Sequence, residues 1–164
     1  MLLPAILARR AVRSYKSDPV ADDQIVDIIK AGQFSPTAKH NMAVEFVVVR
    51  DPTVKEAVFT VVGSDFVKEA PALIVAVMPE GKSMLPVQDL SIASQSMMLQ
   101  AAELGLGTVW KNVSLENAGK VKEALGIPAG HMIINIIPVG YAKEPPAPHT
   151  DAEYDAQKIH RERW

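Results

Sequence analysis

The chain has 164 residues, 48% of them hydrophobic, a formal net charge of −2 and no cysteine. That length and apolar content suit one globular domain with a substantial core, expected to occupy residues 1–164. The near-neutral balance offers no global field for nucleic acid, and the missing cysteines exclude disulfides, thiolate metal sites, iron–sulfur clusters and cysteine nucleophiles.

The opening Met1-Leu2-Leu3-Pro4-Ala5-Ile6-Leu7 is apolar, but its charges follow the run, the reverse of a secretory signal. No apolar run is long enough to span a bilayer, so a soluble cytoplasmic protein with no membrane partner is expected. Ala8-Arg9-Arg10-Ala11-Val12-Arg13-Ser14-Tyr15 then places three arginines within five residues. If the segment is helical, the three guanidinium groups can converge on one region; if it is extended at Arg13, the third can still fold back. Guanidinium is a fork of donors suited to bidentate capture of phosphate or carboxylate. The competing reading is a solvated basic helix end.

Asp22 or Asp23 can cap a helix with Ile25, Ile28 and Ile29 on its apolar face, ending near Gly32 before Ser35-Pro36. Glu45 to Val49 reads as a strand, closed by Asp51-Pro52, and Val54 to Val62 as a short helix. Pro71 to Met78 is a continuous apolar run, the pattern of a strand buried on both faces. From about Val87 to Leu104, Leu90, Ile92, Ala93, Met97, Met98, Leu99, Ala101 and Ala102 cover most of a helix circumference, predicting a helix buried nearly all round. Gly105-Leu106-Gly107 stops it and starts a strand over Thr108 to Val113. Ser114 caps a helix to Leu125-Gly126, and Met132 to Val139 is the last core strand. From Tyr141 a Pro-rich arm leads into a charged amphipathic tail ending at Trp164. The pattern, helices and strands around one sheet, predicts an α+β domain. A helix apolar on all sides has few elements here to cover it. That predicts a homodimer with this helix in the interface and residues 141–164 wrapped over the partner.

Side-chain catalysis finds little support. His40, His131, His149 and His160 are far apart and lack metal-ligand spacing, so no metal site is expected. Neither a G-x-S-x-G elbow nor a Walker A sequence is present. Gly105-Leu106-Gly107 follows a helix and has Trp110 at the third glycine position, so it reads as a C-cap and turn instead of a dinucleotide fingerprint. The arginine cluster lacks the interleaved aromatics and recognition helix of a nucleic-acid site. An anion anchor on an apolar domain without catalytic side chains points to chemistry borrowed from a phosphorylated cofactor.

Arg9-Arg10-Ala11-Val12-Arg13-Ser14-Tyr15 with Pro19-Val20 resembles the opening of the nitroreductase family, and Ser35-Pro36-Thr37-Ala38-Lys39-His40-Asn41 occupies the place of its Pro-Ser loop. Glu69-Ala70-Pro71, Leu104-Gly105-Leu106-Gly107-Thr108-Val109-Trp110 and Pro138-Val139-Gly140-Tyr141 match later landmarks in order. The resemblance implies a central mixed, mainly antiparallel sheet flanked by helices, in a homodimer holding FMN at its interface. It also implies ping-pong electron transfer from NADH or NADPH to a small-molecule acceptor such as a nitroaromatic or quinone. Carried over residue by residue, it places Arg9, Arg10 and Arg13, with Ala11 between them, at the phosphate and ribityl end. Pro36, Thr37, Ala38 and His40 approach from the other subunit, and Trp110, Lys111 and Asn112 lie along the flavin, with Lys111 and Asn112 near N5. For Trp110 the alternative is a strand-end core aromatic, for Lys111 a solvated lysine, and for His40 a loop surface residue.

Four positions depart from the family pattern. Ala11 replaces a serine and removes a hydroxyl donor, and His40 replaces an asparagine. Met42-Ala43-Val44 stands where many members have Gln-Pro-Trp. Thr150-Asp151-Ala152-Glu153-Tyr154 stands where small members often carry a basic residue. These changes motivate a second reading, a flavin carrier or sensor without efficient turnover.

Overall fold

The computed structural model describes residues 1–164. Its sheet is built around two buried strands rich in Val and Ile, β2 (Ala72–Pro79) and β6 (Asn135–Gly140). Strand β1 (Glu45–Val49) pairs with β2, and β3 (Gly107–Thr108) and β4 (Lys111–Asn112) pair with β6; β5 (His131–Met132) extends the pairing on β2. Every ladder is antiparallel, and a single parallel bridge, Ala11 to Thr108, makes the sheet mixed.

The continuous apolar run in β2 is explained by what lies on each face. Leu73, Val75 and Val77 point into one core with Val58 of α3 (Pro52–Val62), Val67 of α4 (Asp65–Glu69) and Val121 of α6 (Leu115–Ala124). Ala72, Ile74, Ala76 and Met78 point the other way, onto α2 (Asp22–Gln33) and α5 (Pro86–Glu103). The period of two thus divides one strand between two cores. Gly32 lets α2 approach α5 closely: a Cβ there would meet the Phe46 ring at 2.8 Å and Met97 Cγ at 3.0 Å.

Two expected strands are each broken, for different reasons. Over 108–113, β3 and β4 keep one register on β6, since Thr108 faces Val139 and Lys111 faces Ile136. In that register Val109 lies opposite Pro138, which has no N–H to donate, so the ladder lapses there. In the last strand, Ile74 faces Ile137 but Met78 faces Met132. Three residues of β2 therefore oppose four of its partner, which is a β-bulge separating β5 from β6.

Smaller corrections concern caps and the tail. Neither Asp22 nor Asp23 is the N-cap of α2; Ala21 is, and Gln24 Oε1 accepts from its N–H at 3.1 Å. Asp51 and Ser114 cap α3 and α6 through their side chains. On α5, Asp89, Leu90, Ala93, Ser94, Met97, Met98 and Ala101 form the buried stripe, while Val87 and Ile92 stay exposed in the single chain. Those two are left for another surface to cover. The first part of the C-terminal arm docks on its own chain: Lys16 N donates to Tyr141 O (2.8 Å), Lys143 N to Ser14 O (3.0 Å) and His149 N to Leu7 O (2.8 Å). Residues 151–164 form two short 3₁₀ turns and lie wholly exposed, with no amphipathic helix. No helix is long and apolar enough to cross a membrane.

Candidate active site

The arginine segment is extended. Helix α1 (Pro4–Ala8) stops at Arg9, and the chain then runs straight to Tyr15. Sterics and hydrogen bonds both fix this arm. Val12 N donates to Thr108 O at 2.9 Å, and the Val12 side chain lies over Gly107, where a Cβ would meet it at 2.6 Å. Tyr15 lies against Gly140, where a Cβ would meet its ring at 3.0 Å, and its hydroxyl donates to Val12 O (2.7 Å) and Pro138 O (3.3 Å). Burial pushes the Tyr15 phenol far up, against the opposing pull of Arg13, so it remains a donor at any physiological pH. Ala11 and Arg13, flanking buried Val12, face outward.

The three arginines have different surroundings. Arg9 and Arg13 make no ion pair, whereas Arg10 Nη1 donates to both Glu153 oxygens, at 2.9 and 3.1 Å. His149 Nδ1 lies 2.6 Å from Arg10 Nη1 and 2.8 Å from Glu153 Oε2. That nitrogen can accept from Arg10 or donate to Glu153, not both. Hydrogen bonds from His149 and Arg10 hold the Glu153 carboxyl below its ordinary value. Glu153, one of the acidic residues of the tail, thus already occupies one arginine, while Asp151 is exposed.

Arg9 borders two cavities of about 350 Å³ each. One lies between the two terminal arms, lined by Val12, Lys16, Gly107 and Pro146; the other lies between α1, α5 and the tail. Ala11, Arg13 and Ser14 line a third, of about 320 Å³, with Glu144 and Pro146. The Ala11–Thr108 bridge sets this arm beside the segment leading to Trp110, Lys111 and Asn112. Trp110 is 36% exposed, Lys111 half-buried and Asn112 exposed. Trp110 is therefore not a core aromatic, and these three residues follow in sequence from the strand that the arginine arm touches.

Pro36, Thr37, Ala38 and His40 stand elsewhere, in the loop between α2 and β1, where Thr37 lines a separate cavity of about 200 Å³ with Phe34 and Met42. This loop hangs on Asp89, in the first turn of α5: Asp89 Oδ1 accepts from Ala38 N at 2.9 Å and Oδ2 from Asn41 Nδ2 at 2.9 Å. Ala102, in the last turn of α5, lines the cavity with Arg9 and Arg10. Thirteen residues of helix separate Asp89 from Ala102, roughly 20 Å at 1.5 Å per residue. Arg9 and Arg10 and the 36–40 loop thus sit at opposite ends of one helix, with Asn112 opposite Asn135, whose amide bonds Ser94 near the helix middle.

The loop is strained as well as anchored. Lys39, His40 and Met42 have φ of 52°, 54° and 49° without being glycine, at a cost on the order of 1–3 kcal/mol each. Burial raises the Asp89 carboxyl, but hydrogen bonds from Ser83, Asn41 and Ala38 together outweigh it and keep the group below its ordinary value, hence ionised. Sequence inspection missed Asp89, Asn41 and His149 as interacting groups, and marked Glu153 only as an acidic departure in the tail, not as the partner of Arg10. A signal existed for Asp89 alone, which falls in helical register with Ala93 and Met97 on the buried stripe.

Comparison with known proteins agrees with this architecture. The model of the nitroreductase family matches residues 6–64 and 58–141. A protein of Archaeoglobus fulgidus, assigned by name as an NADH dehydrogenase/NAD(P)H nitroreductase, is 32% identical, the alignment covering 99% of this chain and 98% of that one. A protein of Methanothermobacter thermautotrophicus with the same assignment is 35% identical, over 99% of this chain and 87% of its own. An FMN-dependent nitroreductase from Clostridium difficile superimposes with a TM-score of 0.91 at 29% identity, over 98% of each chain. The chain belongs to the nitroreductase family. Its α+β fold, with a mainly antiparallel sheet flanked by helices, is the fold of that structure.

Proposed function

We propose that this protein is an FMN-dependent oxidoreductase that takes electrons from NADH or NADPH and reduces nitroaromatic, quinone or similar acceptors in a ping-pong cycle, as a homodimer. The observation that carries the reading is the division of its candidate site between the two ends of α5. Two α5 helices packed antiparallel and crossing near their midpoint, with the exposed Ile92 in the contact, would bring the loop of one chain to the arginine arm of the other. Residues 154–164, exposed beyond the Glu153–Arg10 tie, are then the segment to wrap the partner.

The residues fit the cofactor. Arg9 and Arg13 are unpaired guanidiniums on a fixed arm, and the FMN phosphate carries close to two negative charges near neutral pH. Trp110 offers exposed aromatic surface on the segment that follows the strand bridged to that arm. Bound FMN would supply the redox chemistry: it would take two electrons and a proton from the dihydronicotinamide and pass the two electrons on to the acceptor, with that proton and a second one from solvent. The chain's own part is to anchor the phosphate with Arg9 and Arg13, to present the 110–112 edge to the ring, and to place the Lys111 cation where it favours an electron-rich ring. The absorbance spectrum of the purified protein, followed by anaerobic addition of NADH or NADPH, tests this reading. Bleaching of a bound flavin within turnover times is expected; bound flavin that stays oxidised would favour a carrier or sensor, and an absence of bound flavin would remove the reading.

The acidic tail gives a further expectation. Glu153 sets a carboxylate at Arg10, next to the anion anchor, so it opposes a phosphate there. Glu153→Gln should tighten FMN binding a few-fold, with a gain that shrinks as salt screens the carboxylate it removes. Thermal stability should barely move, because exposed ion pairs contribute little. Superimposable binding isotherms at low and high salt would place the tail clear of the site.

A further inference from the structure

Asp89 is the only acidic side chain buried in this chain, 2% exposed, and it faces no cation. Three neutral donors satisfy it: Ala38 N–H on Oδ1, and Asn41 Nδ2 (2.9 Å) and Ser83 Oγ (2.6 Å) on Oδ2. Two of the three come from the 36–42 loop. The loop's other ties are local, from Met42 N to Thr37 Oγ1 (3.1 Å), from Ala43 N to Asn41 Oδ1 (2.9 Å) and from Asn41 Nδ2 to Ala38 O (3.0 Å). Left-handed conformations at three non-glycine residues persist only where the surroundings over-determine them. Ser35 Oγ donates to Ser96 Oγ of α5 at 2.8 Å where the loop leaves α2, but across residues 36–42 the contacts to Asp89 are the ones that fasten it to the helical scaffold.

We infer that Asp89 is a positioning residue that holds Pro36, Thr37, Ala38 and His40 in the shape that meets the cofactor across the dimer. This rests on the functional reading above, because it is that reading that brings the loop to a flavin. A carboxylate suits the task better than an amide. It accepts at both oxygens, so it satisfies the Ala38 N–H on one side and the Asn41 amide on the other. In Asp89→Asn one side must present an NH₂ group. Turned toward Asn41 it meets another amide donor; turned toward Ala38 it meets the backbone N–H. Either way the loop loses one charge-assisted bond and gains a donor–donor contact, with volume and burial unchanged.

Amide hydrogen exchange, with FMN titration, tests the inference on the full-length protein. In Asp89→Asn, exchange over residues 36–43 should speed up by about tenfold or more, as expected for a lost bond to a charged acceptor, while α2 and the rest of α5 exchange at parental rates. FMN affinity should fall by about tenfold, and the visible spectrum of the bound flavin should shift. Ser83→Ala leaves both loop donors and the carboxylate in place and should give a smaller change in the same direction. Unchanged exchange over 36–43 would overturn the inference, as would a uniform loss of protection along α5, the mark of an ordinary core residue. Faster loop exchange with unaltered FMN affinity would overturn it too. Arg13→Ala, titrated in parallel, separates the two failures. If Arg13→Ala weakens FMN and Asp89→Asn does not, only the role of Asp89 falls; if neither does, the functional reading falls with it.

Discussion

Met97→Asp is expected to leave no folded protein at neutral pH. Met97 is fully buried on α5, in the core shared with Ile28 of α2 and Ile74 of β2, and Gly32 brings the α2 backbone within reach of its side chain. Losing the thioether chain alone should cost about 2–5 kcal/mol, the range for large-to-small core changes. A carboxyl at that place would have no donor or cation, so burial would raise its pKa and add the cost of desolvating it or of keeping it protonated. A typical domain has only about 5–15 kcal/mol in total. The sign of the pH effect follows. A group whose folded-state pKa is raised destabilises most above its unfolded value, so acidification toward that value, about 3.9, should partly relieve this term. Met97→Leu, which keeps volume and polarity, should cost less than about 1.5 kcal/mol and serves as the control. Circular dichroism and thermal melts decide the matter. A Met97→Asp protein with a parental melting temperature would mean that α5 does not pack on α2 as described.

What the sequence made legible follows from what each feature depends on. The run over β2 could be read because burial on both faces needs only apolar residues in a row, and Leu73 to Val77 supply them. The extent of α5 was legible from its long apolar stretch ending at Gly105, although Val87 and Ile92 are exposed and not buried, and the family pattern is what suggests the arginine arm, the loop and Trp110 as one site. The breaks in the edge and final strands were not, because Pro138 interrupts a neighbour 29 residues away in sequence, and the bulge after Met132 exists only in the register against β2. Nothing local marks Lys39, His40 and Met42 for positive φ, since glycine and asparagine are absent from those positions. The Arg10–Glu153 pair spans 143 residues and forms only because the C-terminal arm runs back along the N-terminal one. Local pattern therefore recovered the elements, and the charges that modify the site came from contacts distant in sequence.

That distinction among the arginines sets the second large effect, on cofactor binding. Arg13→Ala should weaken FMN binding by about ten- to a hundredfold, since a hydrogen bond to a charged group is worth roughly 1.5–3 kcal/mol. Its effect on folding should be small. The Arg13 side chain is exposed and unpaired, and the arm is held by Val12 on Gly107 and Tyr15 on Gly140, none of which the substitution touches. Arg10→Ala should behave differently, because Arg10 already serves Glu153 and His149. Its loss frees the tail carboxylate beside the site and exposes residues 149–153 to exchange, so that the charge removed and the charge released act on FMN in the same unfavourable direction. Titration of the flavin-free proteins with FMN, read by fluorescence quenching alongside thermal melts, separates these cases. Arg13→Ala should lose affinity at constant melting temperature and Arg10→Ala should also lose protection in the tail. Parental FMN affinity in Arg13→Ala would take that residue out of the site and leave Arg9 alone as the unpaired anchor on the arm.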